Sequence, residues 1–128
     1  MPTSYAQCIT CVENGKAIAG VVYDGYNGVS ISAHIWMEDG ARPSREWYSA
    51  IFDYPFNRLC IGKIVGQVAS SNAKACRLDE HFGFVEEARV RDYSEEGDMI
   101  LYTMTYEQCR VLNSPSWAKV NQIVARAA

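Results

Sequence analysis

The sequence has no apolar run long enough for a membrane: none of its windows approaches the roughly 20 consecutive apolar residues of a spanning helix. The opening "MPTSYAQCITC" also lacks the basic region and long apolar stretch of a secretory signal, so a cytoplasmic location is expected. A basic excess is missing too. Twelve Lys and Arg face fifteen Asp and Glu, a net charge of −3. That argues against nucleic acid as the main partner and leaves only local clusters, such as Arg42 with Arg45, as anion sites. There is no low-complexity run and no sign of a second domain. With 128 residues, 48% of them apolar, one packed core is expected over 1–128.

The cysteines also fail to make a framework. Five of them (Cys8, Cys11, Cys60, Cys76, Cys109) are an odd number, and reduced thiols are the default outside secreted proteins. Only "CITC" has the spacing of a metal or redox pair. It lies in an apparent strand, where positions three apart point to opposite faces, and no second Cys or His pair completes a tetrahedral site. No metal is expected.

What is present reads first as antiparallel strands. "YAQCITCVE", "AIAGVVY" and "VSISAHIW" are separated by "NGK" and "DGYNG", whose Asn-Gly and Asp-Gly pairs supply the positive φ of tight turns. In the third strand Val29, Ile31, Ala33 and Ile35 alternate with Ser30, Ser32, His34 and Trp36, one set facing a core and the other able to hydrogen-bond. The period then changes. Trp47, Ile51 and Tyr54 recur at helical spacing in "SREWYSAIFDYPF", with Pro43 or Ser44 at the start and Pro55 ending or kinking the helix. "IGKIVGQV" reads as a short apolar strand. A second helix follows, opened by Asn72 and closed by Gly83, with Ala75, Leu78 and Phe82 on one stripe and Phe84 placed to fold back on Leu78. Two further strands, "VEEARVRDY" and "MILYTMTYEQC", flank the turn "SEEGD"; the tail 113–128 reads as a short helix with Ser114 as its cap.

The order β-β-β-α-β-α-β-β-α implies an α/β (α+β) fold: a mixed, mostly antiparallel sheet flanked by helices. The stretch from "IGKIVGQV" through Asn72, Ala75, Gly83, Phe84 and the charged run Glu86 to Arg91 resembles the GNAT superfamily of acyl-CoA-dependent N-acetyltransferases, in which a strand and an "N-x-x-A" helix ending in "GF" precede a charged strand. "GDMILYTMTYEQC" looks like the family's closing strand, and "REWYSAIFDYPFNRL" is similar to short members from phages and bacteria. The resemblance spans roughly Lys16 to Leu112. It implies that "VSISAHIW" and "KIVGQV" splay apart, with acetyl-CoA wedged between them as co-substrate.

On that resemblance Asn72, Ala75 and Cys76 border the pantetheine arm, and a backbone N–H around Ile35, Trp36 and Met37 takes the thioester oxygen. The family's glycine-rich pyrophosphate loop is replaced by "GARPSRE", in which Arg42, Ser44, Arg45 and helix N–H groups suit a diphosphate. Asp79 stands where the family often places a proton-donating tyrosine. An ordinary Asp is ionised at pH 7, so it could act as an acid only if burial raised its pKa; an exposed helix residue is the plainer expectation. Cys76 is the alternative donor. His34 is the expected base, because imidazole titrates near neutrality and its strand should border the acceptor; its plainer reading is a hydrogen-bonded histidine on a sheet face. His81 needs no role beyond favourable charge at a helix C-terminus.

The family's first strand and two helices have no counterpart, which leaves the acceptor side open and implies a protein or peptide amine as acceptor and a homodimer that buries the exposed surface. The reading is therefore an acetyl-CoA-dependent N-acetyltransferase acting by direct attack in a ternary complex. The alternative is a non-catalytic interaction module that keeps the fold and binds a protein partner.

Overall fold

Turn chemistry sets the register of the first three strands. In the computed structural model, which describes residues 7–127, β1 (Gln7–Glu13) and β2 (Lys16–Asp24) join through Asn14 and Gly15, both at positive φ (53° and 77°). Tyr5 and Ala6, assigned to the first strand by the sequence pattern, lie outside the described residues. The second connection is longer than a tight hairpin: Gly25 and Gly28 take positive φ, and Asn27 Oδ1 accepts from the N–H groups of Val29 and Ser30 before β3 (Ser30–Met37) begins. Val29 is thus a loop residue, 70% exposed, rather than part of the buried face.

β4 (Lys63–Ala69), β5 (Val85–Ser94) and β6 (Gly97–Met104) complete a six-stranded sheet in the order β1-β2-β3-β4-β6-β5. All neighbours are antiparallel except β3 and β4. The last strand stops at Met104, because Thr105–Gln108 forms a capping box over one turn of 3-10 helix; the "TYEQC" end of the predicted strand is therefore helical.

α1 (Arg45–Asp53) is capped by Ser44, whose side chain accepts from the Trp47 N–H. Pro55 does not stop it. Proline cannot donate, so the chain widens into a π-helical turn (Tyr54–Arg58) closed by Leu59 N–H on the Tyr54 carbonyl. α2 (Ala73–Phe82) ends at Gly83, φ 113°, whose N–H reaches the carbonyls of Asp79 and Glu80. A Cβ at Gly83 would also sit 1.9 Å from the Gln108 carbonyl oxygen, so this glycine is needed for close approach as well as for handedness. After α3 (Arg110–Asn113), α4 (Ala118–Arg126) begins without a side-chain cap; Ser114 instead accepts, through its carbonyl, the N–H of Trp117 in a preceding 3-10 turn.

The helices pack against one another on one face of the sheet. There Phe52 sits 5.3 Å from Phe82 and 6.4 Å from Phe84, ring to ring, over Val21, Ile31, Ile64 and Ile100. Each such side chain taken from water contributes about 1.5–3 kcal/mol. The opposite face carries Trp36, lying flat on Gly20, with His34 and Gln67 exposed beside it.

Candidate active site

β3 and β4 pair over only three positions, Ser30 with Lys63, Ile31 with Ile64 and Ser32 with Val65, and diverge beyond them. Glu38 N–H donates to the carbonyl of Ile18, directly opposite in the β2–β3 register. Hydrogen-bonded pairs alternate in an antiparallel ladder, so the N–H groups of Ser32, His34, Trp36 and Glu38 serve β2, while those of Ala33, Ile35 and Met37 face the gap. The Ala33 carbonyl lies 3.7 Å from a Cβ placed on Gly66, as that parity requires. The N–H groups of Ile35 and Met37 therefore point between the diverging strands. That of Trp36 does not, which corrects the expectation for this residue: its N–H is committed to β2 and its indole to Gly20.

Two adjoining cavities occupy the gap. The inner one, about 170 Å³, is lined by Ala33, Ile35, Gly66, Asn72, Asp79 and Phe84 among others, and the outer, about 230 Å³, by Ile35, Met37, Asn72, Lys74, Ala75 and Leu78 with Trp36. Ile35, Asn72 and Ala75 belong to both, so the two form one passage. Asn72 Oδ1 accepts from the Ala75 N–H at 3.1 Å, which caps α2 where the helix opens onto the passage.

Asp79 corrects the plainer expectation of an exposed helix residue. It is 8% exposed, and among the described residues its carboxyl has no hydrogen-bond or ion-pair partner. Its Oδ2 lies 3.8 Å from a Cβ placed on Gly66, at the inner end of the passage. Burial, aided by the charge of Glu80, raises its pKa from 3.8 to about 7. Glu80 itself is held by the buried Tyr102 hydroxyl, which donates to its Oε2 at 2.7 Å; burial first, then this bond, pushes the Tyr102 pKa up.

His34 stands on the open face with half its side chain exposed, Nε2 3.4 Å from Asp24 Oδ2. It borders the inner cavity too, so the gap brings His34 and Asp79 to one chamber from opposite sides of the sheet. Cys76 does not join them: it lines neither cavity, and its thiol is engaged with the Ala69 carbonyl at 3.9 Å and with Tyr102.

Neither Ser44 nor Arg42 lines the passage: Ser44 borders a separate cavity with Ile9, Cys11 and Trp47, and the exposed Arg42 another with Glu13, Lys16 and Glu38. Arg45 turns away, which corrects its pairing with Arg42: its Nη2 donates to the Ser116 carbonyl at 2.7 Å and its guanidinium stacks 3.9 Å above the Trp117 ring. Lys74, which the sequence pattern did not single out, lies in the outer cavity and pairs with Asp39 at 3.0 Å. A lysine in the first turn of a helix that opens on a passage was the signal available for it.

No protein-family profile matches the chain, and no curated protein matches it in sequence. Solved structures match its fold. The spermidine/spermine N-acetyltransferase SpeG from Vibrio cholerae, in mutant forms, superposes with a TM-score of 0.71 at 23% identity, over 86% of this chain and 71% of that one. Spermidine N-acetyltransferase from Vibrio cholerae in complex with CoA and spermine gives 0.69 at 23%, over 80% and 67%. Campylobacter jejuni N-acetyltransferase PseH, in complex with acetyl coenzyme A, gives 0.57 at 16%, over 74% and 64%. The fold is that of the GNAT N-acetyltransferases, and the chain spans 64–71% of the length of these neighbours.

Proposed function

We propose that the protein transfers an acetyl group from acetyl-CoA to an amine, the two bound together. The observation that carries this reading is the gap itself: the N–H groups of Ile35 and Met37, which the register leaves without a strand partner among the described residues, beside a passage that ends at a buried carboxyl with a pKa raised to about 7. N–H groups aimed at a thioester carbonyl stabilise the charge that develops on its oxygen, and loss of one such donor typically costs about a hundredfold in rate. Asn72 and Ala75 border the pantetheine arm. For the diphosphate the reading keeps Arg42 and Ser44 in the segment after β3, whose Asp39 pairs with Lys74 of the outer cavity, while Arg45 serves the C-terminal segment instead.

His34, with Asp24 beside it, accepts the proton from the attacking ammonium on the open face. Asp79, neutral below about pH 7, protonates the departing thiolate from the covered face. The acceptor we infer is a small amine, in place of the protein or peptide amine that the sequence implied. The neighbours whose substrates are named act on spermidine or spermine, and the Asp24 carboxylate, about half exposed at the open face, favours an ammonium there. The homodimer also stands as a proposal, supported by Trp36, Val85 and Val90, which are 40–50% exposed. The test is release of free CoA thiol from acetyl-CoA with a panel of small amines and lysine peptides. Thiol release with neither class, alongside unaltered binding of acetyl-CoA, would favour the interaction module.

A further inference from the structure

Ala33 and Gly66 are the first positions beyond the last paired ones, Ser32 and Val65, and so form the apex where β3 and β4 part. Both are small. Their side-chain positions face the covered side of the sheet, above Phe84 and Asp79, and widen the covered end of the inner cavity of about 170 Å³, which His34 and Gln67 border from the open face. An engineered protein cavity of about 150 Å³ accommodates a benzene ring, whereas the acetyl group has only one methyl to place. A larger pair at 33 and 66 would fill the chamber. Gly66 has an ordinary φ, and a Cβ there meets nothing closer than 3.7 Å, so neither backbone strain nor contact accounts for a glycine at this site.

We infer that the inner chamber is an acyl pocket that admits straight acyl chains longer than acetyl, up to butyryl, with Gly66 and Ala33 setting the limit. This rests on the acyl-transfer reading above. The reaction is unchanged by chain length: the acyl C–S bond breaks, an acyl C–N bond forms, the amine's proton passes to the base, and the thiolate takes a proton to leave as free CoA. The apolar chain would run over Phe84 and past Asp79, which in its neutral form does not penalise it as a carboxylate would. Phe84, buried on the core, closes the floor and excludes longer chains.

The test measures binding by calorimetry and turnover by thiol release for acetyl-CoA and butyryl-CoA against one amine, in the wild type, Gly66→Ala and Gly66→Val. The wild type should use both donors within about threefold in kcat/KM. Gly66→Val should cut butyryl-CoA use by about 10–200-fold more than it cuts acetyl-CoA use, the range for a methylene that a pocket no longer fits. Gly66→Ala should fall between, and decides the matter if the valine variant does not fold. A wild type that uses butyryl-CoA tenfold or more worse than acetyl-CoA overturns the pocket, as does a Gly66 variant that treats both donors alike. If both donors bind but neither is turned over, the enzyme reading fails alone; butyryl-CoA binding as tightly as acetyl-CoA, and weakened by Gly66→Val, would still support the chamber. If neither binds, both readings fall.

Discussion

The two sides of the sheet treat a titratable group in opposite ways. On the covered side Asp79 is buried, its carboxyl without a hydrogen-bond or ion-pair partner among the described residues; on the open side His34 is half solvated, with a carboxylate within reach. The gap between β3 and β4 brings both to one chamber. In the proposed reaction the proton donor is a carboxyl kept neutral by burial and the base is a group open to the incoming ammonium, and one sheet with unequal cover offers a candidate for each.

The comparison is broken most severely by removing the covered carboxyl. Asp79→Asn should lower turnover by about 10²–10⁴-fold, the usual worth of a general acid, yet leave acetyl-CoA affinity nearly unchanged. In the wild type, activity should fall as pH rises through about 7, where Asp79 loses its proton. Stability carries the same signature. The folded value of about 7 lies above the unfolded one near 3.8, so the native state binds the proton more tightly, and the contribution of this group to stability is full below about pH 4 and is lost as pH rises to about 7. The slope within that window is on the order of 1 kcal/mol per pH unit. Denaturant titrations at several pH values should show the slope in the wild type and its loss in Asp79→Asn; a flat wild-type profile would remove the premise.

On the open side His34→Ala should reduce turnover by about 10²-fold with little change in acetyl-CoA affinity and, as an exposed residue, within about 0.5 kcal/mol in stability. Equal losses in turnover and donor binding would make His34 structural. Smaller still is Arg42→Ala, which should weaken CoA binding several-fold at low salt and by less at high salt, as screening predicts. Calorimetry at two ionic strengths measures both. Asn72→Ala should cost about 1 kcal/mol through the lost cap with or without ligand. Any additional reduction in the acetyl-CoA-induced rise in melting temperature reports a pantetheine contact; no additional reduction leaves Asn72 as a cap only.

Much of this arrangement is legible from short stretches. Asn72 caps and Gly83 turns left because those features depend on neighbours within four residues, and the strand order follows from punctuation such as Asn14-Gly15. The misreadings share a different cause. Asp79 is buried by a strand that diverges above it, Trp36 loses its N–H to the register of β2, and Arg45 finds a carbonyl 71 residues away. None of those partners lies within the periodicity that identifies an element. Pro55 is the local exception: the pattern marked a break, but a π-helical turn absorbs the missing N–H.

The ties between α1 and the C-terminal segment also impose an order in time. Ser49, fully buried, donates to Asn121 Oδ1 at 2.7 Å across 72 residues, and Arg45 reaches Ser116 across 71. At roughly 5–20 residues per second, a ribosome takes about 4–14 s to go from one partner to the other. Throughout that interval the nascent chain holds α1 with the hydroxyl of Ser49 and the ring of Tyr48 still waiting for Asn121 and Trp117, a stretch of synthesis in which this face of the helix has no native cover.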